Sequence, residues 1–337
     1  MRAIGEAVPK VSVVTPTKNR LGLLIQTMDS VAVQTLDQWE HIVVDDGSDD
    51  GSIEEVERRA AADPRVRLIK RVGPASGANV CRNIGIRTAR AGYILFLDSD
   101  DLLDPGCLAR RVAVLDRNAD LDFVTFQTSF FVHKIGDRDR HRDRELLGDD
   151  LTRFLYFELP WIITGPLWRK SALQSIGLFD ESLPSWQDVD LHVRAIAAGL
   201  RYLRFGEVDH HMRWQDAPDK VSIQQRRMPE HLLAAQTLMV KFEGVVSDGP
   251  GMTWVRQRAL CSLYFFIAER WMDIGRVGAA LACWRCVRTR HLAPAVLYLS
   301  GIAMLMLYTI GPLGRRIGHK WKGLARLRTN PELVVPR

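Results

Sequence analysis

Five apolar or aromatic residues, Tyr93-Ile94-Leu95-Phe96-Leu97, run straight into Asp98-Ser99-Asp100-Asp101. No other stretch constrains the fold of this chain as strongly. An uninterrupted apolar run of this length reads as a strand buried on both faces, as in a parallel sheet. The carboxylates then stand at its carboxyl end, the edge of an open α/β sheet where ligands bind. Alternation along an extended chain would aim Asp98 and Asp100 the same way across Ser99. Two like charges held together repel, and a divalent cation relieves that repulsion. Mg²⁺ and Mn²⁺ favour carboxylate oxygens and keep phosphate and water among their ligands. The competing reading is an acidic turn that caps the next helix at Asp104-Pro105. Capping accounts for Asp104, but not for Asp98 and Asp100 emerging from a buried strand.

The chain before this stretch repeats the same pattern. Val11-Ser12-Val13-Val14-Thr15-Pro16 is β-branched and ends at a proline, with the polar turn Thr17-Lys18-Asn19-Arg20 behind it and helical periodicity over 21–33. Glu40-His41-Ile42-Val43-Val44 is a second strand that ends in Asp45-Asp46-Gly47-Ser48, with a helix over 53–62. Residues 66–69 form a third, and the loop Gly73-Pro74-Ala75-Ser76-Gly77 opens a helix over 78–89. Strands alternating with helices at this spacing predict βαβ units and a mainly parallel, Rossmann-like sheet flanked by helices. The glycine loop is neither a Walker A loop nor a dinucleotide fingerprint, since Gly-Lys-Ser/Thr and Gly-x-Gly-x-x-Gly are both absent. It is either a plain turn or a place where helix amides meet a diphosphate.

Together these pieces carry a resemblance. Val13 to Arg20, Val43 to Ser48, Gly77-Ala78-Asn79-Val80-Cys81-Arg82-Asn83, Leu97 to Asp101, and Gly177-Leu178-Phe179-Asp180-Glu181 followed by Trp186-Gln187-Asp188-Val189-Asp190 stand in the order and spacing of a family 2 glycosyltransferase. The chain resembles that family, of the GT-A fold, over residues 9–215. The resemblance implies an inverting transfer of sugar from a nucleoside-diphosphate donor, with UDP the favoured nucleotide and a saccharide or lipid-linked acceptor. It implies that Asp46 holds the nucleobase. Pro16, Thr17, Lys18, Arg20, Arg82, Asp98 and Ser99 would complete the donor site. Asp98 and Asp100 would hold Mg²⁺ or Mn²⁺, with His211 (or its neighbour His210) as a third ligand. Asp188 would be the general base. Lys18 departs from the pattern, because relatives often carry an aromatic ring beside the base at that position.

The chemistry asks for the same groups. A nucleoside diphosphate leaves readily once its charge is neutralised, which a cation on Asp100 would achieve with help from Arg82. The acceptor hydroxyl must lose a proton, and a carboxylate within hydrogen-bond reach takes it. Each residue also has a plainer reading: Arg82 as a solvated helix residue, Asp188 as the cap of a helix over 189–198, Asp190 as a first-turn acid. Trp161 and Trp186 are candidates for an acceptor platform, and core packing explains either tryptophan equally well.

The domain reading follows: 9–215 is the catalytic body, with 9–101 binding the donor and 102–215 the acceptor; 216–290 is a helical extension, 291–314 an apolar segment, and 315–337 a basic tail. Six Lys or Arg and no acid lie between Arg315 and Arg328, and the rest of the chain balances at 40 basic against 40 acidic residues. A neutral body argues against nucleic-acid binding. The sign-alternating stretch 137–145 reads as a solvated loop. Residues 292–313 carry no charge and are long enough to span a bilayer. Basic residues on both flanks, with Arg285, Arg288 and Arg290 on the near side, favour a hairpin or in-plane helix on an anionic membrane surface over a single crossing. Burial against the protein is the alternative. Five scattered cysteines and no apolar leader among residues 1–10 predict a reducing, cytosolic setting, at the inner membrane face. Cys283 and Cys286, with His291 nearby, lack a second pair of zinc ligands. Two rivals stand beside the transferase. A nucleotidyltransferase would need a basic, glycine-rich signature after its first strand. A degenerate scaffold subunit would be expected to have lost one of Asp46, Asp98, Asp100 and Asp188.

Overall fold

Val11–Thr17 (β1) and Trp39–Asp45 (β2) pair in parallel and are buried along almost their whole length. Strands covered on both faces need helices on both sides, and the chain supplies them in alternation. The structure is a computed structural model and describes residues 8–138, 149–214 and 228–308. Most of the sign-alternating stretch, the end of the apolar segment and the basic tail lie outside those residues. After β1 come Leu21–Ala32 (α1), β2, Ser52–Ala62 (α2), Val66–Lys70 (β3), Ala78–Thr88 (α3), Tyr93–Phe96 (β4), Leu102–Leu103 (β5), Cys107–Arg117 (α4) and Phe123–Phe131 (β6). Then follow Asp150–Leu155 (α5), Pro166–Arg169 (β7), Lys170–Ser175 (α6), Gln187–Ala197 (α7) and Tyr202–Arg213 (β8). The remaining helices are Pro229–Asp248 (α8), Trp254–Asp273 (α9), Val277–Thr289 (α10) and Ala295–Tyr308 (α11).

One sheet holds all eight strands in the order β3-β2-β1-β4-β7-β6-β8-β5. Its first four strands are parallel. β7 then runs antiparallel to both β4 and β6, and β5 antiparallel to β8, so the sheet is parallel over β3-β2-β1-β4 and mixed beyond it. Contacts divide the chain into two compact units. Among the described residues, 8–138, 161–182 and 200–214 make the first, which contains the whole sheet. Residues 149–160, 183–199 and 228–308 make the second, which is helical. Two segments expected inside the 9–215 body, those of α5 and α7, thus cluster with the C-terminal helices.

Within the first unit α3 lies against β1 so closely that a Cβ on Gly85 would sit 2.3 Å from Val14 Cγ1, which explains glycine there. Phe123, Trp161, Trp168 and Tyr202 form an aromatic core. Beside it Arg111 and Asp209, both without exposed side-chain surface, make a two-pronged ion pair: Arg111 Nε and Nη2 donate to the carboxylate at 2.9 and 2.6 Å, and Nη1 donates to the Thr164 carbonyl at 2.8 Å.

Three buried histidines set the acid limit of this fold. Burial pushes His41 down to about 3, with Arg59 adding to it, and holds His192 at about 3 and His210 at about 4. Their folded values lie below the unfolded 6.5, so their contribution is complete above pH 6.5 and is lost as pH falls toward the folded values. By pH 5 each costs about 2 kcal/mol of folding free energy relative to neutral pH. Urea midpoints are therefore expected to fall steeply between pH 6.5 and 5. A flat profile across that range would refute neutral burial of these imidazoles.

Candidate active site at the carboxyl edge of the sheet

β1, β2 and β4 are parallel neighbours, so the residues that follow them meet at one edge. Two loops there are stitched together. The backbone N–H of Asn19 donates to Ser48 Oγ at 2.9 Å, Asp49 N–H donates to Asn19 Oδ1 at 2.8 Å, and Leu21 N–H donates to Asp50 Oδ2 at 2.9 Å. Asp45 holds the turn after β2 by accepting from the N–H groups of Gly47 and Ser48. Asp46 accepts from Arg71 Nε and from Gly77 N–H at 3.0 Å. Arg71 Nη1 also donates to the carbonyls of Gly73 and Ala75 at 2.6 and 2.7 Å, which braces the glycine loop. Sequence reasoning missed Arg71; the signal was a tight loop whose carbonyls needed a donor. Lys18 is exposed at the end of β1, and the buried Thr17 hydroxyl has no hydrogen-bond partner among the described residues.

The acidic turn does not follow strand alternation. β4 ends at Phe96, and the Asp101 N–H donates to the Asp98 carbonyl at 3.1 Å, so residues 98–101 form a turn and not a continuation of the strand. Asp98 accepts from Arg82 Nη2 at 2.6 Å, and Asp100 from Arg20 Nη1 at 2.8 Å. Ser99 is buried between them. Arg82 is buried as well, its guanidinium 5.4 Å from the Phe179 ring centroid, which excludes the solvated-helix reading. Its Nε and Nη1 have no hydrogen-bond partner among the described residues. Asp101 is the anchor of the turn: its carboxylate accepts from Arg213 N–H at 3.1 Å and Thr164 Oγ1 at 3.3 Å. Burial, reinforced by the charges of Asp100 and Asp98, raises its carboxyl well above the usual range.

In the second unit Asp188 stands half-buried in the first turn of α7. It is not the cap. Trp186 holds that position at φ 70°, and Asp188 Oδ1 accepts the N–H of Val189 at 2.9 Å. Asp190 is fully buried and ion-paired to Arg194 and Lys241, at 2.8 and 2.7 Å. The half-buried Trp186 ring meets Phe157 edge to face at 3.8 Å between centroids. Phe157 and Leu159 also adopt positive φ, at 63° and 43°. Non-glycine residues held there are strained, and such residues gather at binding and catalytic sites. Trp161, by contrast, is packed into the aromatic core of the first unit and offers no face to an acceptor.

Residues 12–176 match the model of glycosyl transferase family 2. This segment belongs to that family. A glycosyltransferase of Rickettsia conorii is 32% identical over 177 residues, 52% of this chain and 27% of that protein. The chain spans between 20% and 27% of the length of the first curated relatives it matches. Staphylococcus aureus TarS 1–349 in complex with UDP-GlcNAc superposes with a TM-score of 0.64 at 15% identity, covering 88% of this chain and 90% of that one. The mannosyltransferase PcManGT of Pyrobaculum calidifontis, in complex with GDP-Man and Mn²⁺, gives 0.53 at 19% identity, with 96% and 85% covered. The fold is that of a GT-A glycosyltransferase.

In this glycosyltransferase domain the fit to a metal can be tested on the donor set. Asp98 and Asp100 offer the carboxylate oxygens a hard cation prefers. No three His, Cys, Asp or Glu residues among the described ones are grouped to hold an ion. His211, expected as a third ligand, has both ring nitrogens engaged, Nδ1 with Ser129 Oγ at 2.6 Å and Nε2 with Asp104 Oδ1 at 2.9 Å. Asp104 thus serves His211 and does not cap α4, whose cap residue is Gly106. Its neighbour His210 is enclosed by Thr128, Arg111 and Asp209. Of the residues expected to hold a cation, Asp98 and Asp100 keep the chemistry it would need.

Proposed function

We propose that this chain is an inverting glycosyltransferase that moves a sugar from a nucleoside-diphosphate donor to a hydroxyl of a saccharide or lipid-linked acceptor. The observation that carries the reading is Arg82. It is a buried cation with two unpartnered nitrogens beside Asp98 at the carboxyl edge of the sheet, and TarS and PcManGT, of similar fold, are solved in complex with UDP-GlcNAc and GDP-Man. A diphosphate is the ligand that satisfies such a group, because its oxygens accept from a guanidinium in paired fashion. Arg20 joins it by exchanging Asp100 for phosphate. Asp46 and the loop it shares with Arg71 receive the nucleobase, Pro16, Thr17 and Lys18 line the end of β1, and Ser99 lies in the donor turn. UDP is the proposed nucleotide, by analogy with the UDP-GlcNAc held by TarS.

A divalent cation, Mg²⁺ or Mn²⁺, held by Asp98 and Asp100 would supply Lewis-acid stabilisation of the departing diphosphate. Asp188 takes the proton of the acceptor hydroxyl as that oxygen attacks the anomeric carbon from the face opposite the nucleotide, which inverts the configuration. Trp186 and Phe157 give the apolar face of an acceptor sugar an aromatic corner. Trp161 and His211 drop out of the site for the reasons above.

The test is donor binding across a panel of UDP-, GDP- and dTDP-sugars, with and without Mn²⁺, for the parent and Asp100→Ala. One donor bound with metal, and weakened at least about tenfold in the variant, is the expected result. No donor bound under any condition, with the variant unchanged, would move the scaffold reading ahead. A nucleotidyltransferase would instead release pyrophosphate from a nucleoside triphosphate.

A further inference from the structure

Helix α11 carries no charged residue and has two unlike faces. Leu297, Gly301, Leu305 and Tyr308 are buried and recur every three or four residues, so they form one stripe. That stripe is fixed to its neighbours in the second unit. Trp284 Nε1 donates to the Tyr298 carbonyl at 2.9 Å, a Cβ on Gly301 would stand 2.4 Å from the Trp284 ring, and the Tyr308 hydroxyl donates to Glu269. The opposite side is also apolar. Val296, Leu299 and Met306 are 80%, 62% and 43% exposed, and Ala303 is exposed between the last two. A helix docked on a protein by one face ordinarily shows charge on the other. This one shows a second apolar stripe.

The geometry points to a lipid bilayer surface as the occupant of that stripe, with α11 lying in the plane of the membrane and anionic headgroups beside it. Among the described residues no helix is long and apolar enough to cross a membrane, and α11 is docked on protein along one side. Its inner stripe is moreover held by Trp284 and Glu269. Charge favours an anionic surface. Arg285 and Arg288 are exposed at the end of α10, immediately before α11, while Arg290 beside them is ion-paired to Glu243 at 2.9 Å. The six Lys and Arg of 315–328 follow it with no acid among them. Basic residues flanking an interfacial apolar stripe are attracted to anionic headgroups while the stripe enters the acyl boundary. This inference is independent of the transferase reading and would stand if that reading failed.

Co-sedimentation of the full chain with vesicles tests it, using phosphatidylcholine alone and phosphatidylcholine mixed with phosphatidylglycerol. Binding to the mixed vesicles, reduced at least about tenfold in Val296→Glu/Leu299→Glu, is the expected result. A thermal melt matching the parent's would show that the exposed substitutions leave the fold intact. Equal vesicle binding by parent and variant would overturn the proposal, as would no binding by the parent. Light scattering covers the remaining occupant: a parent dimer that becomes monomeric in the variant, with no lipid bound by either, would assign the stripe to a second copy of the chain.

Discussion

Replacing Asp188 by asparagine is expected to lower sugar transfer by about 10²–10⁴-fold, the range for loss of a general base, and to leave donor affinity within about twofold of the parent. Asparagine keeps the shape of the side chain and can still accept the Val189 N–H, so α7 has no reason to change. What it lacks is a lone pair basic enough to take the acceptor proton. The nearest acid in the sequence cannot substitute, because Asp190 is buried and committed to Arg194 and Lys241. Turnover with acceptor, or slower donor hydrolysis with water in its place, measures the first quantity, and calorimetry with the UDP-sugar measures the second. Parent-like turnover in Asp188→Asn would remove the base assignment. A parallel loss of donor binding would relocate Asp188 to the donor site.

The largest effect on stability is expected at Arg111, whose side chain is fully buried against Asp209. Arg111→Met leaves Asp209 inside the protein without its guanidinium, and unpairing a buried charge costs about 3–5 kcal/mol. It also removes the donor to the Thr164 carbonyl. Adding Asp209→Leu is expected to recover much of the loss, since an apolar pair of similar bulk avoids the desolvation the ions suffer. Burial holds His210 neutral and the Arg111 charge adds to that, while Asp209 pulls the other way. The loss in the single variant should accordingly be smaller near pH 6 than near pH 8, where His210 cannot protonate to replace the missing cation. Urea denaturation at the two pH values measures all of this. A double variant no more stable than Arg111→Met would show that the ion pair is not what the substitution disturbs.

The parallel half of the sheet was legible because its strands β1, β2 and β4 are largely buried. Val11 to Val14, interrupted only by Ser12, and Ile42 to Val44 and Ile94 to Leu97 are apolar runs followed by polar turns, and parallel pairing puts those ends on one edge. β6 was not legible, since Thr125, Thr128 and Ser129 are polar in sequence and buried in fact. Nor could sequence separate Trp161 from Trp186, because only packing decides which ring is enclosed. Strand alternation was the wrong guide to Asp98 and Asp100 for a local reason: it holds only while the backbone stays extended, and the strand ends at Phe96. The carboxylate partners of Arg71, Arg82 and Arg111 lie between 16 and 98 residues away in sequence. A guanidinium finds its carboxylate through tertiary structure, and no local pattern encodes that choice. Such pairings also decided His211, which reads as a ligand in sequence and is tied to Ser129 and Asp104 in the fold.

The stitching between the loops after β1 and β2 has a consequence for how this scaffold tolerates change. Asn19, Ser48, Asp49 and Asp50 hold the two turns through bonds that do not involve the Lys18 side chain. Mutational drift at Lys18 therefore leaves the frame standing, whereas drift at Asn19, which sits at φ 50° and both donates and accepts across the gap, dismantles it. A lineage can thus try new side chains at this exposed position one at a time, each on an intact backbone.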